Sequence, residues 1–337
     1  MTKYKLLKNC IKLISFFIIT VSLFNSCSAP PIIDVKINDS NTSGNTKNEI
    51  GLITYNIKAV YGKSEVESNS LVQYLNNQLF DFVLLQEVFD EDAREYLIGN
   101  LDSSFYRSMI PRIDYNSFPA NLCQDAGLFS KSKFPIVDLS NIDFGENTEI
   151  SNGAIHQLLL KEFSISLDFL SNKSVMGVLY QVNDSTKLFL FSTHIQALSS
   201  KRHKINQLRQ IQAFIQNAVV KVLRNKIVKF PENLIVLLTG DLNYDAYSES
   251  DFKILRENLG NPRDLYKEIN DDLKEYSLII KYLNLYKRVD YIFAYDNIGP
   301  IKLRKIGVKS INVTDITDQN KKSISDHRAL KATLLLN

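Results

Sequence analysis

The sequence predicts an α+β domain in which mixed β-sheets pack under helices. Three observations lead there. Short apolar runs of strand length recur along the chain, amphipathic helical patterns fall between them, and polar residues able to do chemistry stand just past several of the runs.

In order, the runs cover residues 51–55 (GLITY), 82–86 (FVLLQ), 127–129 (GLF), 177–181 (GVLYQ), 188–192 (LFLFS), 234–238 (LIVLL) and 291–295 (YIFAY). Each is rich in β-branched, aromatic or Leu residues and too short for an ordinary helix, so each reads as a buried strand. Helical patterns cover 66–79, 93–98, 204–222 and 250–259. In the longest, Leu208, Ile211, Ile215, Val219 and Val222 recur at three- and four-residue spacing and make one apolar stripe. No internal repeat is present.

Ahead of this domain the composition changes. Lys3, Lys5, Lys8 and Lys12 precede an apolar run over 13–24, and no Asp or Glu occurs before residue 27. That run is too short to span a bilayer, which takes about 20 apolar residues. Asn25, Ser26 and Cys27 follow it, and the arrangement resembles a bacterial lipoprotein signal with Cys27 as the lipidated residue. Residues 1–26 are therefore expected to be a signal peptide, 27–48 a flexible tether rich in Ser, Asn and Thr, and 49–337 the working domain. The expected location is the cell envelope, at the outer membrane or cell surface. The formal net charge of +3 loses four lysines with the signal and becomes −1, so the basic balance gives no support to a nucleic-acid binder. Cys10 would leave with the signal, which makes Cys123 the one remaining thiol, unable to form an internal disulfide and expected to be a small packed residue.

Polar clusters sit at the strand ends: Asn56, Glu87, His194, Asp241 with Asn243, and Asp326 with His327; Asp290 sits within RVDYIF. Taken singly, such residues are turn formers, caps or hydrogen-bonded structural groups. Together, their Asn, Glu and Asp oxygens suit a hard cation such as Mg²⁺. The absence of HExxH, GxSxG, GxxxxGK[ST] and GxGxxG patterns argues against zinc and serine hydrolases, P-loop enzymes and dinucleotide-binding folds.

The ordered series LITYNI, LLQEVFD, GLFSKSKFPI, STHIQA, LLTGDLNYD, RVDYIF and SDH resembles the endonuclease/exonuclease/phosphatase superfamily over residues 50–337. Gln86 to Asp90 (QEVFD), Thr193 to Ala197 (THIQA) and the segment 167–180 are similar to its neutral sphingomyelinase-type branch, while the WxGDxNxR form of inositol-phosphate phosphatases is absent. The resemblance implies a four-layer DNase I-like sandwich, two packed mixed sheets flanked by helices. It also implies a Mg²⁺-dependent phosphodiesterase acting on a phospholipid at a membrane surface, with no obligate protein partner. Glu87 would bind the metal with Asn56 and Asp326, His327 would be the general base oriented by Asp290, and His194, Asp241 and Asn243 would serve the phosphate, the leaving group and the water. Two other functions remain open, a DNase I-like nuclease acting on nucleic acid and a non-catalytic surface binding protein.

Other residues carry lesser expectations. Asp125 is balanced between a turn former and a polar active-site group. Lys131 and Lys133 are expected in a solvated loop, His203 in a solvated basic patch with Lys201, Arg202 and Lys204, and His156 in a loop or at the surface. Tyr282, Leu283, Leu285 and Tyr286 are expected to form a packing face, with lipid contact as the alternative.

Overall fold

The computed structural model describes residues 47–336, apart from 61, 62, 64, 79, 102–107, 116, 117, 119, 152, 163–166 and 272. The expected signal peptide, the expected lipidation site Cys27 and the expected tether up to residue 46 lie outside the described residues. Among the described residues no helix is long and apolar enough to cross a membrane.

The chain runs β1 (Glu49–Ala59), α1 (Glu65–Gln78), β2 (Phe82–Val88), α2 (Glu91–Asn100), β3 (Ser108–Ile110), β4 (Phe129–Ser132), β5 (Glu149–Ser151) and β6 (Ala154–Leu158). It continues with α3 (Leu167–Leu170), β7 (Ser174–Gln181), β8 (Lys187–His194), α4 (Lys201–Arg224), β9 (Leu234–Asp241), α5 (Glu249–Asn258), β10 (Arg263–Asp264) and α6 (Leu265–Ile269). It ends with β11 (Leu278–Ile280), β12 (Leu285–Lys287), β13 (Asp290–Tyr295), β14 (Asn297–Ile298), β15 (Ile301–Lys302), β16 (Gly307–Thr314) and β17 (Ala329–Leu335). All four predicted helices and six of the seven predicted strands are present, whereas the run 127–129 lies mostly in the loop before β4 and shares only Phe129 with it.

Two mixed sheets form the middle of the molecule, one in the order β16-β17-β1-β2-β4-β3 and the other β10-β13-β9-β8-β7-β6-β5. Strand alternation separates the apolar residues into three cores. Leu52 and Leu84 of the first sheet meet Leu190, Leu237 and Ile292 of the second between the sheets. On the outer face of the first sheet, Ile53, Val83 and Leu85 pack under Leu71, Leu75 and Leu97 of α1 and α2. On the outer face of the second, Val236, Leu238 and Phe293 pack under the Leu208–Val222 stripe of α4. Helix, sheet, sheet, helix is the expected four-layer sandwich.

Four helix starts are fixed by side chains, those of α2, α4, α5 and α6, the last two by Ser248 and Asp264. Asp90 caps α2 by accepting the Ala93 N–H, and Ser200 caps α4 through the His203 N–H. β16 and β17 were not expected. In β17 buried residues alternate with the half-buried Lys331 and Thr333, a mixed pattern that a search for apolar runs passes over.

Candidate active site

Topology gathers the polar residues at one edge. β1 and β2 are parallel neighbours, with Asn56 opposite Gln86, so Asn56 and Glu87 emerge together from their C-terminal ends. β8 and β9 are also parallel, with His194 opposite Asp241. β13 runs antiparallel to β9 and begins where β9 ends, which places Asp290 opposite Asp241. β17 runs antiparallel to β1, so the loop leading into it brings His327 to the same edge.

The side chains converge, some hydrogen-bonded and the two histidines within 4 Å of the Asp241 carboxylate. Asn56 is fully buried and its amide donates to Glu87 Oε1 at 3.0 Å and to Asp241 Oδ2 at 3.1 Å. His327 Nδ1 lies 2.9 Å from Asp290 Oδ2, and its Nε2 is 3.6 Å from Asp241 Oδ2. His194 Nε2 is 3.6 Å from Glu87 Oε1 and 3.8 Å from Asp241 Oδ2. Asn243 is held at the rim, its N–H donating to Asp241 Oδ1 at 2.9 Å and its side-chain amide to the Ile195 carbonyl at 3.0 Å. Asp326 stands apart, its carboxylate paired with Lys58 at 2.6 Å. The backbone is strained at the site, because Lys58, Glu87 and Asn243 take φ of 50°, 56° and 48°.

Charge in this buried space is strongly perturbed. Burial, aided by the Asp290 carboxylate, pushes Asp241 up to about 7 against the pull of His327 and the Asn243 N–H. Burial works to lower His327, but the Asp290 and Asp241 carboxylates outweigh it and raise the imidazole to about 10. His194 is held well below 6.5 by burial, with Lys173 and His327 adding repulsion, and is therefore neutral at pH 7.

The donor set fits a hard divalent cation. Asp290 Oδ1 is buried without a hydrogen-bond partner, and Asp241, Asp290 and His327 each bring a ligand-type atom within 4.8 Å of the others. This group differs from the expected Glu87, Asn56 and Asp326. His327 and Asp290 bond to each other, Asn56 Oδ1 accepts the Lys58 N–H at 3.1 Å, and the Asn56 amide nitrogen faces Glu87 and Asp241. The Glu87 and Asp241 carboxylates and the unpartnered Asp290 Oδ1 are therefore the candidate ligand oxygens.

Several expectations change. His156 is fully buried in β6, its Nε2 2.9 Å from Ser151 Oγ, because β6 lies inside the second sheet instead of in a loop. Lys131 is buried in β4 and donates to the Leu101 carbonyl at 3.1 Å, whereas Lys133 is half-buried beside Asp81. Asp125 is structural, since its carboxylate accepts the Gly127 N–H at 2.7 Å and pairs with Arg94. Cys123 is half-buried, with Lys161 Nζ 3.2 Å from its sulfur. His203 and Lys204 are half-buried, the first bonding the Leu160 carbonyl at 2.8 Å and the second the Asn243 carbonyl at 3.2 Å. Tyr282 and Leu283 at the turn between β11 and β12 are 88% and 60% exposed, outside any packing face, whereas Leu285 is half-buried and Tyr286 packs edge-on against Tyr276 at 5.7 Å.

Two groups near the site escaped the sequence reading. Lys173 is buried and pairs with Asp168 at 2.9 Å, close enough to His194 to depress it. Its signal was only the lysine within the segment 167–180. Gln86 donates to Thr54 Oγ1 at 3.1 Å and Ser192 Oγ at 3.3 Å, tying the two sheets beneath Glu87 and His194. A buried Gln inside an apolar run has no local signature of that partnership.

No protein-family profile matches the chain. Over 227 residues it is 26% identical to a sphingomyelinase C of Bacillus cereus, a match covering 62% of this chain and 59% of that relative. The solved sphingomyelinase C of Streptomyces griseocarneus superposes with a TM-score of 0.57 at 20% identity, covering 85% of this chain and 99% of the other. A Staphylococcus aureus beta toxin solved with bound magnesium ions gives 0.56 at 19% identity, covering 84% and 99%. D. rerio TDP2 solved with a single-strand DNA product gives 0.55 at 15% identity, covering 86% and 99%. These structures share the DNase I-like fold with the chain.

Proposed function

We infer that this chain, a member by fold of the endonuclease/exonuclease/phosphatase superfamily with sphingomyelinase C relatives, is a divalent-metal phosphodiesterase. Its proposed substrate is a sphingophospholipid, cleaved by water at the head-group phosphodiester. The observation that carries this reading is the buried Asp290–His327 pair turned toward Asp241 at the common end of both sheets.

Asp290 accepts the Nδ1 proton of His327, which fixes the ring and leaves Nε2 to take a proton from water. Asp241, 3.6 Å from that nitrogen, orients the water and stabilises the imidazolium that forms. Asn56 holds the Glu87 and Asp241 carboxylates in register through its two amide protons. His194 is neutral and offers a hydrogen bond to a phosphate oxygen or the leaving group, and Asn243 supports Asp241 from the rim. A divalent cation held by the Glu87 and Asp241 carboxylates, with Mg²⁺ the expected ion, would neutralise the phosphate and offset the carboxylate charge that otherwise keeps His327 protonated. Asp326, engaged with Lys58, acts through the loop geometry.

The exposed Tyr282 and Leu283 favour lipid over nucleic acid. They crown a hairpin whose base joins the His327 loop, with Leu278 bridging to His327. Two exposed apolar side chains on a hairpin joined to the site suit a bilayer interior better than a phosphate backbone, and the neighbouring Lys281 suits lipid phosphate. Lipidation of Cys27 in an exported envelope protein completes the proposal, and incorporation of a radiolabelled fatty acid that is lost in Cys27→Ala tests it.

Residues 28–337 should be offered sphingomyelin liposomes, phosphatidylcholine liposomes and plasmid DNA, each with Mg²⁺ or EDTA. Metal-dependent release of the phosphorylated head group from sphingomyelin is expected. DNA cleavage with intact lipid would support the nuclease reading, and no turnover at all the binding-protein reading. His327→Ala should lower turnover by about 10²–10⁴ while the circular dichroism spectrum is unchanged.

A further inference from the structure

Ser277 is fully buried just before β11, in a stretch with no catalytic motif. Its Oγ accepts the N–H groups of both Val289 and Asp290, at 3.0 and 3.1 Å. Consecutive N–H groups of a regular strand point to opposite sides. Here they converge on one oxygen, while the Arg288 and Val289 carbonyls turn the other way to accept from Ala246 and Leu242, each at 2.9 Å. The chain is therefore folded just ahead of Asp290, and the Ser277 hydroxyl is the group that accepts the two inward N–H groups.

The same residue also holds the segment of the histidine. The Ser277 carbonyl accepts the Arg328 N–H at 2.6 Å, Leu278 bridges to His327, and the Ile279 N–H donates to the Asp326 carbonyl at 2.9 Å. On the far side, Ser325 Oγ accepts the His327 N–H at 3.1 Å and donates to the Asn56 carbonyl at 2.9 Å. Ser325 thus holds the His327 backbone directly, while the Ser277 main chain holds the next residue, Arg328, and the Ser277 hydroxyl holds the segment that carries Asp290.

We propose that Ser277 is a positioning residue that sets the register between Asp290 and His327. For its kinetic consequence the proposal rests on the phosphodiesterase reading above. The hydroxyl touches neither substrate nor reacting atoms. It supplies a buried acceptor without which the two N–H groups would seek other partners and carry the Asp290 carboxylate with them. A misplacement of about 1 Å in such a pair costs on the order of 10²-fold in rate.

The test compares Ser277→Ala, Ser277→Cys and Ser277→Thr in the whole domain, with thermal melting recorded for each. Ser277→Ala and Ser277→Cys should lower kcat by about 10- to 100-fold with KM within about threefold, and Ser277→Thr, which keeps the hydroxyl, should restore most of the loss. The downfield proton NMR signal of His327 Nδ1–H, hydrogen-bonded to Asp290, should shift or broaden in the first two variants and persist in the third. If Ser277→Ala does not fold, the Cys variant decides. A folded Ala or Cys variant with wild-type kcat and an unmoved resonance overturns the proposal, as does a Thr variant no better than Ala. A wild-type protein that turns over no phosphodiester overturns the functional reading instead, and the resonance alone then judges Ser277.

Discussion

At Gly240 the space left for a side chain is negative. Its φ is +124°, and a Cβ built there would lie 2.0 Å from the Thr193 carbonyl oxygen on the neighbouring strand. Gly240 faces Thr193 one step before Asp241 faces His194, so a wedge there would separate two site residues. Gly240→Ala should cost about 2 kcal/mol or more in urea unfolding and lower turnover with it. His156 makes a different demand, since burial lowers its pKa from 6.5 to about 4. The unfolded chain binds a proton between those values that the folded chain refuses. Stability is therefore full above pH 6.5 and falls as pH drops toward 4, by about 3 kcal/mol at the limit. Asp241, raised to about 7, contributes with the opposite sign over the same range. The His156 effect should therefore appear in the difference between the urea midpoints of wild type and His156→Gln, wild type losing ground to the variant as pH falls from 7 to 4. Asn56, Glu87, His194 and Asp241 were legible as polar residues ending apolar strands. Gln86 was not, because Thr54 and Ser192 lie on segments far away in sequence. Lys173 and Ser277 were not, because neither stands in a motif and their nearby partners, Asp168 and the Val289–Asp290 segment, are joined to them only by the fold.

Strands were easier to read than their edges. The runs at 82–86 and 234–238 are buried on both faces, and such strands show as unbroken apolar stretches. β16, at the end of its sheet, carries Lys309, Ser310 and Asn312 and has no such signal. The hairpin of β11 and β12 misled in the opposite way, because a cluster of Tyr and Leu residues reads as core until its exposure is known. Burying Tyr282 and Leu283 in a bilayer surface would stabilise attachment by about 1.5–3 kcal/mol per side chain. The double variant Tyr282→Ser/Leu283→Ser should bind sphingomyelin liposomes at least about 10-fold more weakly. Its turnover of a soluble short-chain substrate should match wild type. Equal loss on both substrates would place the tip in the chemistry and not at the membrane.

Over the whole molecule, the four layers leave one edge where carboxylates crowd, and that edge should respond to metal. Mg²⁺ at 100 times its dissociation constant would add about 2.7 kcal/mol to folding stability. Differential scanning fluorimetry should show a rise in Tm with Mg²⁺, its reversal by EDTA, and its absence in Glu87→Gln. An unchanged Tm in the wild type would count against a resident cation. The sandwich as a whole was legible because its layers repeat one rule, alternation of faces along each strand. The pairing of β1 with β17 was not, since nothing local in either strand names the other. That pairing carries a consequence of its own. Glu49 lies opposite Leu335, and the Leu336 N–H donates to the Asn48 carbonyl at 2.9 Å. Closing β1 against β17 spans nearly the entire described domain, so that side of the first sheet stays open until residues 329–335 are available to pair. A polypeptide threaded through a membrane pore N-terminus first would keep that sheet incomplete throughout its passage, and would acquire its active edge only on the far side.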